Sequence, residues 1–208
     1  YEIHWRDWSS DVCSSDLAFL KIPVVWWCFG FFFLSTMTLA VVQSFAVSIL
    51  QALHQVTFEA ATFTLTAYML CAAAGMFVGG FVAARWPRQS DKVVAGCMTA
   101  AAVLMALCGS GLFGADLTMV ILAATGLAIG IGGPSRDMMI KKATPKGATG
   151  RVYGMVYSGL DVGFAVSPLI FGVFMDHGWY GATLLGAAFV LLLSVAVALG
   201  VGRRTTHA

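Results

Sequence analysis

The residue that most needs a chemical explanation is Asp161, in the stretch VYGMVYSGLDVGFAVSPLIFG at 152–172. A carboxylate inside an apolar span costs about 2.5–3.5 kcal/mol on insertion scales. Asp161 lies ten residues past Arg151, roughly 15 Å at helical rise, which is near mid-bilayer if the stretch spans a membrane. Tyr153, Tyr157 and Asp161 fall at i, i+4 and i+8 and so share one helical face, with Ser158 on an adjacent edge. Low dielectric favours the neutral form of a carboxylate, which lets it exchange protons near neutral pH. Asp161, with Tyr157 beside it, is therefore a candidate for proton coupling or for holding a cationic substrate. Two other roles fit the same residues: a carboxylate hydrogen-bonded to a neighbouring helix, or an interfacial one if the helix starts later.

The other candidates are weaker. Arg136 and Asp137 follow Pro134, which reads as the close of an apolar helix; they form either a cytoplasmic gate or a solvated, snorkelling helix end. Gln43, with Ser44 and Ser48, is the polar edge of the first apolar run, facing either a cavity or another helix. Glu59 reads as a helix cap, since acids favour the first turn. No enzyme constellation is present: the sequence has no His-x-x-x-His, no CxxC and no P-loop, and Ser158 has no histidine within an apolar run to partner it. No cofactor, metal or nucleic-acid partner is expected, and the cysteines lack metal-type spacing.

The elements that position these residues follow from composition. Of 208 residues, 59% are hydrophobic and 11% charged, against about 45–50% and about 25% in soluble domains. Long apolar runs indicate a helical membrane protein, with the bilayer as its first partner. Six runs are long enough to span: Val24–Leu50, Phe58–Ala83, Val93–Phe113, Leu117–Ile140, Val152–Met175 and Tyr180–Val201. Proline at the entrance of the first, Pro23, suits a helix start.

Tyr1–Leu17, YEIHWRDWSSDVCSSDL, is polar and acidic and ends abruptly at an apolar chain. It resembles a translated sequencing adapter and is expected to be an artefactual, disordered leader. The membrane domain is then 18–204, with 205–208 as a tail. Setting the leader aside removes Arg6 from twelve Lys/Arg and four of the ten acids, leaving eleven and six. With alternating spans, all eleven basic residues fall on one side: Lys21, Arg85, Arg88, Lys92, Arg136, Lys141, Lys142, Lys146, Arg151, Arg203 and Arg204. Glu59, Asp116 and Asp176 fall on the other. The positive-inside rule makes the basic side, and the C-terminus, cytoplasmic. Gly75/Gly79, Gly126/Gly130 and Gly159/Gly163 lie four apart within spans, as close helix packing or a sliding face requires. Trp26, Trp27, Trp86, Trp179 and Tyr180 lie near span ends, as interfacial belts do.

Several segments together resemble the C-terminal half of the major facilitator superfamily. Gly80-Phe-Val-Ala-Ala84-Arg85-Trp-Pro87-Arg88 is similar to that family's cytoplasmic G-x-x-x-D-R-x-G-R loop. Gly80, Arg85 and Arg88 match; Ala84 replaces the acid, Pro87 the second glycine, and Gln89 a final basic position. Gly159-x-x-x-Gly163 followed by Pro168-x-x-x-Gly172 resembles the family's eleventh helix, and Ala143–Gly154 its ten-to-eleven loop. The resemblance implies an all-α fold: six transmembrane helices, seven to twelve of a twelve-helix secondary transporter. It also implies a missing N-terminal six-helix half, a small-molecule substrate near the midplane, and alternating access. A bacterial-type plasma membrane is the expected location. The rivals are a complete six-helix channel or small permease acting as an oligomer, and a non-transporting membrane protein.

Overall fold

The computed structural model describes residues 23–143 and 149–205. These form six α-helices: α1 Pro23–His54, α2 Phe58–Arg85, α3 Ser90–Gly109, α4 Ala115–Ala143, α5 Thr149–Asp176 and α6 Tyr180–Thr205. Each is long and apolar enough to cross a membrane. The shortest, α3, has 20 residues, about 30 Å at 1.5 Å per residue, which matches the hydrocarbon thickness. The expected leader 1–17 and tail segment 206–208 lie outside the described residues, as do Lys21 and loop positions 144–148.

Local chemistry sets the helix ends and corrects four sequence expectations. Thr57, not Glu59, caps α2: its hydroxyl accepts from the Ala60 N–H at 3.3 Å. Glu59 occupies the first turn, where it favours the helix dipole without capping. The third span begins earlier than Val93, because a 3-10 turn at Pro87–Gln89 feeds straight into Ser90. It also ends before Phe113, at Gly109, where Gly111 takes a left-handed φ of 66°. The largest correction is Pro134, which lies inside α4 rather than closing it. A helical proline clashes with the carbonyl four residues back. Here that residue is Gly130, in the glycine-rich run GIGGP, so the backbone can adjust.

The bundle is organised by pairs. α2 packs on α4 and α5 on α1; α3 lies against α4 and α6 against α1; α3 and α6 meet each other. Exchanging the first three helices for the last three maps this scheme onto itself. Three-span units related in this way enter the membrane from opposite sides, which is the inverted-repeat architecture. α1 and α4 touch each other only slightly.

The paired glycines lie in the principal seams. A Cβ at Gly75 would sit 2.5 Å from the Leu127 carbonyl oxygen. At Gly126 and Gly130 it would strike the carbonyls of Tyr68 and Ala72. Gly159 and Gly163 press in the same way on Phe29 and Phe33 of α1. Hydrogen bonds add cross-ties: Ser167 Oγ donates to the Met37 carbonyl at 2.8 Å, and Thr38 Oγ1 to the Ala187 carbonyl at 3.0 Å. Trp26, Trp86 and Trp179 are exposed near helix ends. Trp27 instead turns inward and packs on Gly200.

Candidate functional site

α5 delivers the face expected of it. Tyr153 and Tyr157 stack with centroids 5.9 Å apart and planes 20° from parallel. Asp161 continues that face one turn on, twelve residues past Thr149 and fifteen before Asp176, close to the middle of the helix. The side of α5 packed on α1 carries Gly159, Gly163 and Ser167. Asp161 points elsewhere and is exposed on the bundle. Among the described residues it makes no hydrogen bond or ion pair. Ser158 does not serve it, because its hydroxyl donates to the Met155 carbonyl of the same helix at 2.6 Å.

The tyrosines lead toward the N-terminal end of α5 rather than toward Gln43. Tyr157 packs on Phe32 of α1, with centroids 5.6 Å apart. The Arg136 guanidinium carbon lies 4.7 Å from the centre of the same Phe32 ring. Arg136 Nε is 3.8 Å from Asp137 Oδ1, and the two side chains are 21% and 50% exposed. Arg136 is therefore mostly covered, while Asp137 is half exposed. Asp137 in turn stands near Tyr153 and Tyr157.

A cleft of about 410 Å³ opens beside this cluster, lined by Gly80, Ala84, Pro134, Asp137, Lys141 and Tyr153. It joins one matched residue of the loop motif, Gly80, to the gate candidate Asp137. Arg85 is exposed; the side chain of Arg88 lies outside the described residues.

Gln43, Ser44 and Ser48 are exposed on α1 but stand apart. α1 and α5 run parallel, since Phe29 meets Gly159 and Met37 meets Ser167. Gln43 is six residues beyond Met37, and Asp161 six before Ser167. The two are therefore separated by roughly 18 Å along the bundle. No group of three metal-ligating side chains occurs among the described residues.

Phe32 is the member of this cluster that sequence reasoning missed. It sits within the run Phe31-Phe32-Phe33, and its ring is fully buried. The available signal was Arg136 itself: a cation in an apolar helix needs a partner, and an aromatic face is one.

The sequence model of the Major Facilitator Superfamily matches residues 25–208. Comparisons with curated proteins and with solved structures found no match.

Proposed function

The chain belongs to the major facilitator superfamily of membrane transporters, and we propose that its six helices form one half of a twelve-helix, proton-coupled carrier of a small molecule. The observation that carries this reading is Asp161, exposed on the bundle near the middle of α5. Against lipid, that carboxylate would cost about 2.5–3.5 kcal/mol. Covered by a second six-helix half across a wet cavity, it is a group placed to take and release a proton as access alternates.

Arg136 and Asp137 act in this scheme as the cytoplasmic gate, beside the cleft that reaches Gly80. Confinement of the basic residues to one side supports a cytoplasmic C-terminus. Asp161→Asn in the complete protein keeps the side-chain shape but removes the titrating group. Reconstituted into liposomes, this variant is expected to retain substrate exchange and lose accumulation driven by a proton gradient. Gradient-driven accumulation equal to that of the wild type would remove Asp161 from the mechanism.

A further inference from the structure

We infer that Phe32 is a positioning residue: its ring holds the Arg136 guanidinium in place and thereby latches α1 to α4 at the cytoplasmic end. The inference rests on the reading of Arg136 and Asp137 as the gate.

A mostly covered guanidinium needs compensation, and its nearest carboxylate, Asp137, supplies an ion pair from the same helix that ties α4 to no other. Asp137 is the next residue on that helix, so the pair moves with α4 as one piece. Their 3.8 Å separation exceeds the 2.7–3.2 Å of a hydrogen bond. Arg136 Nε is buried without a hydrogen-bond acceptor among the described residues. What the guanidinium does have, from another helix, is the face of Phe32 at 4.7 Å. A cation over an aromatic face is attracted by the ring quadrupole, more strongly once both are desolvated.

The ring is itself immobilised. It is fully buried, with Phe31 edge-on at 5.6 Å and Tyr157 tilted against it at 5.6 Å. α1 and α4 otherwise make little contact, so this cation–ring pair is a distinct tie between those two helices. Held down, it keeps the inner end of α4 against α1. Released, it lets that end move and widens the cleft beside Ala84 and Asp137.

The test uses the full-length protein in its membrane, with native cysteines replaced by alanine and Ala83→Cys, buried in the wall of that cleft, as reporter. The probe is a membrane-impermeant maleimide applied from the cytoplasmic side. Phe32→Leu and Arg136→Met are each expected to speed labelling on the order of tenfold, and the double variant no further. Because Phe32→Leu also alters packing, fluorinated phenylalanines at position 32 provide an isosteric series that weakens only the ring's negative face. Labelling is expected to rise with each added fluorine. Unchanged labelling in Arg136→Met would overturn the gate reading, and the inference with it. If Arg136→Met speeds labelling but the fluorinated series is flat, or if the two substitutions multiply, Phe32 only fills space and the inference alone fails.

Discussion

Replacing Gly130 by alanine should destabilise the bundle although alanine is the better helix former. Gly130 lies where α4 crosses α2, and a Cβ there would strike the Ala72 carbonyl. That neighbour is backbone and cannot swing aside, so the two helices must separate. Overpacking of this kind costs about 1–3 kcal/mol. Gly96, on the exposed side of α3, is the control, because an added Cβ meets nothing within 4 Å. Both changes share the helix-propensity gain of about 1 kcal/mol, so their difference isolates the seam. Gly130→Ala should therefore lie roughly 1–3 kcal/mol below Gly96→Ala. In a chain of this size each kcal/mol corresponds to about 2–4 °C in melting temperature. Thermal unfolding of the two purified variants in the same detergent measures the gap. Coincident melting curves would refute the claim that glycine at this crossing sets the α2–α4 distance.

Other expectations follow from the same packing. Ser167→Ala removes the bond to the Met37 carbonyl and should lower unfolding stability by about 0.6–1.7 kcal/mol; no change would mean the bond is not a net tie. Cysteines introduced at Val56 and Leu112 should react with an impermeant label from one side of the membrane, and one at Gln89 only from the other. Same-side labelling of all three would break the six-span topology.

Much of the fold was legible because a bilayer demands runs of a fixed length. Each expected span overlaps one helix, and Phe58 and Tyr180 are the observed first residues of α2 and α6. The misses arose where backbone geometry overrode composition. Pro134 looked like a stop, but a glycine four residues back lets the helix run through it. Phe113 looked like part of a span, but Gly111 had already turned the chain. The face shared by Tyr153, Tyr157 and Asp161 was legible because it depends only on helical periodicity. The Phe32–Arg136 contact was not, because it joins two distant helices whose pairing leaves no local pattern. Gln43 was a cavity candidate by polarity alone, and the parallel register of α1 and α5 sets it apart from Asp161.

The central claim, that α1–α6 are one half of a carrier built around Asp161, is tested most directly by flux from two preparations compared side by side. Proteoliposomes holding the complete protein should accumulate its substrate under an imposed proton gradient. Those holding only residues 18–204 should show no flux above empty liposomes. Gradient-driven transport by the six-helix chain alone would contradict the account and make it a self-sufficient permease.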